Sequence, residues 1–384
     1  MFESLLQFIR DQYRTHDFIP LHAPVFTGQE RQYVLDAIDS TYVSSVGGYV
    51  DRFERDMAAY TGSPSAVVTV NGTSALHMAL LLAGVCDGDY VITQTLTFVA
   101  TCNAIAYCHA DPIFLDIDRQ HLSLSPAAMD TWLDEHAFID DEGLCRHRLD
   151  NRVIRACLPM HTFGHPADLD GLVAVCHRWG LQLVEDAAES LGSLYKGRHT
   201  GTLGQFGILS FNGNKIITTG GGGMILTSEE QALRAKYLTT TAKKPHPFAY
   251  CHDEIGFNYR MPNINAAMGC AQLEQLDTFV ANKRRLAQRY EQFFKSSSMQ
   301  FVTEPAECWS NYWLNAVVCE DSHQRDALLD ATNKAGVMMR PVWEPMNHLP
   351  MFNKTPTGTL ENSEWLAARL VNLPSSVVPG EMDA

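Results

Sequence analysis

The chain has 384 residues, 46% of them hydrophobic and 19% charged, with 26 Gly and 17 Pro. That balance excludes disorder and fibrous repeats, and it predicts a folded protein with a large core, long enough for two to three domains at roughly 150 residues each. The 29 Lys and Arg against 44 Asp and Glu leave a net charge of −15. This argues against a nucleic-acid-binding surface but still allows an anion to be held by local backbone N–H groups and a few placed cations.

Residues 1–15 carry a short amphipathic pattern without the basic and apolar regions of a signal peptide. No run of roughly 18 apolar residues occurs, so no membrane-spanning helix is expected. The ten cysteines stand singly with no C-x-x-C pair, which speaks against a zinc ribbon or redox dithiol. Reduced, mostly buried thiols in a soluble cytoplasmic protein are expected.

From Ala66 to Ser228 short β-rich runs alternate with helical stretches. Ala66–Val70, Tyr90–Thr93, Pro112–Asp116, Val153–Pro159, Leu181–Glu185 and Gly207–Phe211 read as strands. Ser74–Ala83 reads as a helix stopped by Gly84, Phe98–Cys108 as another, and Asp168 as the cap of a third that runs to Trp179 and ends at Gly180. Such alternation with apolar strands predicts an α/β domain around a largely parallel sheet. The polar stretch Asp134–Asn151 reads as a surface excursion. Beyond Tyr259 a long helix, Ile264–Phe294, bent or broken somewhere, leads into a smaller α+β segment.

Three features fall at predicted strand ends, where ligands of open α/β sheets collect. Asn71-Gly72-Thr73-Ser74 opens a helix with two hydroxyls and free N–H groups, which by itself reads as a plain N-cap and also allows a phosphate cradle. Glu185-Asp186 ends an apolar strand, where a buried carboxylate needs a cation, such as a pyridinium nitrogen. Ser210 and Lys215 follow the next strand ahead of Thr218, Thr219 and four glycines; the lysine is a Schiff-base candidate and the serine a phosphate donor. His161 and His165 have a spacing that would suit a metal, but Gly164 and Pro166 argue for a loop, and no metal is expected.

Val70-Asn71-Gly72-Thr73-Ser74-Ala75-Leu76, Thr97-Phe98-Val99-Ala100-Thr101, Glu185-Asp186-Ala187-Ala188, Ser210-Phe211 with Lys215 and Thr218-Thr219-Gly220, and Asn258-Tyr259-Arg260-Met261 resemble nucleotide-sugar aminotransferases of the DegT/StrS type. These are fold-type I enzymes that use pyridoxal 5′-phosphate (PLP). The resemblance implies a large α/β domain over residues 20–258 with a mostly parallel seven-stranded sheet, a small α+β domain over 259–384, and a helical extension over 1–19. It implies that Lys215 carries PLP and moves protons, Asp186 pairs with the pyridine nitrogen and Phe98 stacks on the ring. Thr73, Ser74 and Ser210 would hold the phosphate, with Asn258 reaching in from the partner of a homodimer whose active sites are shared. Relatives that dehydrate sugars carry histidine where Lys215 stands, so a transaminase using L-glutamate is implied. Glu189 departs from the Gln of many relatives and would face cofactor or substrate.

Segments around Ser45, Tyr312 and Arg340 are similar to the branch acting at C4 of UDP-linked 4-keto-6-deoxy-N-acetylhexosamines, which feeds legionaminic acid and bacillosamine synthesis. Those three residues would contact the nucleotide sugar, though Arg340 reads equally as a surface residue. Other keto sugars, GDP- or dTDP-linked or 3-keto, and a non-catalytic regulator that keeps the PLP fold are the alternatives.

Overall fold

Apolar five-residue runs become one sheet in a computed structural model that describes residues 2–378 and 380. Its strands are β1 (Ser65–Thr69), β2 (Tyr90–Gln94), β3 (Asp111–Leu115), β4 (Ile154–Leu158), β5 (Gln182–Asp186), β6 (Phe206–Ser210) and β7 (Gly223–Thr227). Their order is β1-β7-β6-β5-β4-β2-β3. Only β7 runs against its neighbours; the β6-β5-β4-β2-β3 pairings are parallel. Side chains alternate across the sheet. Val67, Val91, Ile208 and Ile225 pack on the helices Gly72–Leu82, Val99–Tyr107 and Glu229–Thr239. On the opposite face Val68, Leu209 and Met224 join Phe53 and Phe211, while Ile92 and Ile113 join Trp132 and Leu172.

The helix signals act as expected. Asn71 accepts from Ser74 N–H at 2.8 Å, Asp168 accepts from Gly171 N–H at 3.1 Å, and Gly180 ends its helix at φ 65°. The long helix is two, Asn263–Leu273 and Leu276–Phe294. The stretch read as a polar excursion contains a hairpin, Ala137–Ile139 against Cys145–His147, and Trp132 stacks on both His136 and His147.

A second, antiparallel sheet orders Gln300–Phe301, Asn315–Val318, Leu370–Leu373 and Arg340–Pro341. The N-terminal helix Phe2–Tyr13 is not free-standing: Leu5 and Ile9 are buried with Tyr290, Val337 and Leu373 in the core of that sheet. No helix among the described residues is long and apolar enough to cross a membrane.

Candidate active site

β6 delivers Lys215 through a turn in which Lys215 N–H donates to Asn212 O at 3.0 Å. Its Nζ lies 3.2 Å from Glu189 Oε1 and 4.0 Å from the ring centroid of Trp313. The other Glu189 oxygen is fixed by Phe163 N–H at 2.9 Å. Burial pushes the Glu189 carboxyl up to about 7, against the pull of the Lys215 charge. The folded chain therefore binds a proton that the unfolded chain has already lost, and this term lowers stability as pH rises from about 4.5 to about 7. Glu189→Gln should remove that fall, on the order of 2–3 kcal/mol. Melting curves at pH 5 and pH 8 measure it, and a wild-type slope no steeper than the variant's would contradict the assignment.

Adjacent residues of a strand face opposite ways, and this separates the two acids at the end of β5. Glu185 is spent within the fold: it meets His161 Nε2 at 3.0 Å and accepts N–H groups from Gly201, Leu203 and Gly204 at 2.6–2.8 Å. Burial opposes its charge, but His161 and the N–H donors outweigh burial and hold the carboxyl below its usual range. The Asp186 carboxylate accepts only Thr101 Oγ1–H at 2.7 Å and Ala188 N–H at 3.2 Å among the described residues. It is 3% exposed, and burial raises its carboxyl above the usual range despite the Lys215 charge. A buried carboxylate with neutral donors alone is the arrangement a cationic ring nitrogen completes.

Beside β6, the turn from β1 into its helix lies against Ser210, whose Cβ would be 3.1 Å from a side chain at Gly72. β7 starts close enough that a Cβ at Gly223 would sit 2.4 Å from the Asn71 carbonyl, so only glycine fits. Thr73, Ser74 and Ser210 thus gather at a helix N-terminus, where first-turn N–H groups have no acceptor within the helix.

A cavity of about 690 Å³ opens over Lys215 and Glu189, walled by Phe98, Trp313, Arg340 and Trp343. Phe98 is 46% exposed, its ring 6.3 Å from that of Trp343. The floor is tied to the wall around Gly164, whose carbonyl accepts both Ser193 Oγ and Ser310 Oγ. Asn311 donates to Glu189 O and Leu191 O, and its own oxygen takes Trp313 N–H at 2.7 Å.

Not every predicted site residue joins this group. Tyr312 is buried in the core against the second sheet with its hydroxyl taking Glu304 N–H, and Trp313 faces Lys215 instead. Ser45, half-buried, and Asn258, exposed, lie outside the cavity walls, as do Thr73, Ser74, Asp186 and Ser210; the last two are tied to the site by the Lys215 charge on Asp186 and the contact of Ser210 with the turn at Gly72. Backbone on both sides of Asn258 is pinned to its own chain: Phe257 N–H donates to Leu238 O and Tyr259 N–H to Thr239 O. Next in line, Arg260 is held by Glu54 at 2.8 Å. Sequence reasoning passed over Thr101, Trp313, Trp343 and His22. The first three stand in or beside motifs it quoted.

The profile of the DegT/DnrJ/EryC1/StrS aminotransferase family matches residues 25–381. The chain belongs to this family of PLP-dependent sugar aminotransferases. GDP-perosamine synthase of Escherichia coli O157:H7 is 36% identical over 363 residues, 93% of each chain. The enzyme of the same name from Vibrio cholerae is 35% identical, covering 93% of this chain and 94% of its own. Among solved structures, the aminotransferase TlmJ from Streptoalloteichus hindustanus superimposes with a TM-score of 0.84 at 28% identity, covering 93% of both chains. These matches bear out the fold-type I architecture and the PLP cofactor. They do not point to the UDP-linked, legionaminic acid branch that the motifs around Ser45, Tyr312 and Arg340 resemble; the relatives here act in the GDP series by name.

Proposed function

We propose that this chain moves an amino group from L-glutamate to C4 of a GDP-linked 4-keto-6-deoxyhexose. The observation that carries the amino-transfer reading is Lys215 paired with Glu189 at the floor of one cavity, with the buried Asp186 carboxylate close enough to feel the Lys215 charge. PLP, when bound, supplies an electron sink that its protonated ring nitrogen strengthens. Asp186 keeps that nitrogen protonated. Lys215 Nζ anchors the cofactor and carries the proton to and from the reacting carbon. Glu189, 3.2 Å away, holds that proton or returns it. Thr73, Ser74 and Ser210 bind the phosphate, Phe98 covers the ring, and Arg340 meets the nucleotide sugar.

Identity of 36% along 93% of both chains with a GDP-perosamine synthase supports the GDP-linked acceptor. The second reading is a UDP-linked 4-keto-6-deoxy-N-acetylhexosamine, supported by the motifs around Ser45 and Arg340. Holoenzyme given L-glutamate and each keto sugar in turn, with the amino sugar weighed by mass spectrometry, decides between them. Turnover of the GDP sugar is expected; turnover of the UDP sugar alone would reverse the order, and turnover of neither would overturn the function.

The working unit in this reading is a homodimer with shared sites, Asn258 completing the neighbour's phosphate contacts. Supporting it, the hairpin Lys243–Lys244 and Cys251–His252 ends just before Asn258 and leaves Phe248, Tyr250 and Ile255 83–89% exposed. Apolar exposure of that degree in one short segment is what a subunit contact covers. Mixing Lys215→Ala chains with Asn258→Ala chains under subunit exchange should restore one intact site per mixed dimer. Activity should then rise well above either variant alone; exchange without recovery would remove Asn258 from the partner's site.

A further inference from the structure

One wall of the Lys215 cavity is made of three segments joined edge to edge. Met338 N–H donates to Ile19 O at 2.9 Å, Ser375 N–H to Leu21 O at 2.7 Å, and Ala23 N–H to Ser376 Oγ at 2.8 Å. Arg340 and Asn372 are register partners in the second sheet. This backing brings His22, Arg340 and Asn372 to the same cavity.

Both ring nitrogens of His22 and Oδ1 of Asn372 are buried and have no hydrogen-bond partner. Three such atoms on one cavity wall call for a ligand, because buried polar atoms in folded proteins are otherwise satisfied. Their chemistry says which one. Burial, and then the charges of Lys283 and Lys215, keep the His22 ring neutral, so it offers one donor and one acceptor. Asn372 Oδ1 only accepts. A carboxylate has no hydrogen to give it, so the amino donor's acid groups do not fit this pair. A sugar ring fits, since each hydroxyl both donates and accepts.

We infer that His22 and Asn372 are substrate-recognition residues that hydrogen-bond the hydroxyl groups of the acceptor hexose, beside Arg340. The inference rests on the sugar aminotransferase reading and assigns these residues to one of its two half-reactions. The GDP-linked and UDP-linked keto sugars above are the probes, using whichever one wild-type holoenzyme accepts.

Single-turnover absorbance separates the half-reactions for His22→Phe, Asn372→Leu and His22→Gln. The L-glutamate half-reaction should keep its rate within about twofold. The keto-sugar half-reaction should need about tenfold more sugar to half-saturate in His22→Phe and in Asn372→Leu, the scale of one lost hydrogen bond. His22→Gln, which keeps a donor and an acceptor, should recover most of that loss. Calorimetric binding of the keto sugar to holoenzyme that has met no amino donor should weaken by the same factor. Equal slowing of both half-reactions, slowing of the glutamate half alone, or unchanged sugar affinity would each overturn the assignment. If His22→Phe does not fold, Asn372→Leu and His22→Gln decide by the same criteria. Wild-type enzyme inert to both sugars would instead defeat the functional reading, and this inference with it.

Discussion

Lys215→Ala should lower amino transfer by more than about a thousandfold, because in the proposed function one group both anchors the cofactor and carries the proton. The variant should still bind PLP, since Asp186 and the Thr73, Ser74 and Ser210 cradle are untouched. Borohydride reduction of wild-type holoenzyme should leave the cofactor on the peptide containing Lys215. The competitor is Lys283, the buried lysine whose ammonium is pushed down to about 7 by desolvation. A lysine must be neutral to attack, so Lys283 has the protonation state for the role. It lacks the position: its Nζ donates to Ser375 O, and it does not line the cavity. Label recovered on Lys283, or near-normal turnover in Lys215→Ala, would refute the assignment.

Asp186→Asn should lower turnover about a hundredfold, as when a preorganised electrostatic partner is removed with shape nearly kept. The loss should appear in kcat, with the nucleotide-sugar KM close to wild type, because in the proposed function Asp186 would pair with the ring nitrogen and make no contact with the sugar. Glu185 cannot take over. Its two oxygens are committed to His161 and three backbone N–H groups on the opposite side of β5. Wild-type kcat in Asp186→Asn would mean that another group holds the ring proton.

The sheet was legible because its strands are apolar runs bounded by turn residues; all six predicted strands overlap the observed ones with their ends within one residue. β7 was harder to see. It begins at the end of a four-glycine run and reverses direction, and only the packing of Gly223 on Asn71 shows why. Lys215, Asp186 and the phosphate turn were legible because each closes a strand. Choosing Tyr312 over Trp313 failed for a local reason. Tyr312 has φ 46°, a left-handed backbone that rotates the chain and sends the tyrosine inward and the tryptophan toward Lys215. The hairpin after Trp132 escaped because its strands are three residues each, and it rests on a histidine–tryptophan–histidine stack rather than on alternation. His22 escaped because nothing local distinguishes a lone histidine after a proline and a leucine; only pairing with residues some 350 positions away gives it a place.

The ties around Gly164 bear on how substrate enters. Enzymes whose cleft lies between two lobes often work as jaws, shutting on the ligand through a hinge. Here the seam between the cavity floor and the Trp313 wall is buried and bonded: two serine hydroxyls share one carbonyl, and Asn311 reaches across to Glu189 and Leu191. Gly164 packs so tightly there, at φ 99°, that a Cβ would lie 1.9 Å from Asn311 Oδ1. A seam of this kind resists shear, so the floor and the Trp313 wall move as one block. Selectivity in such a mould comes from standing shape, and turnover should be insensitive to solvent viscosity beyond what diffusion of the nucleotide sugar itself imposes.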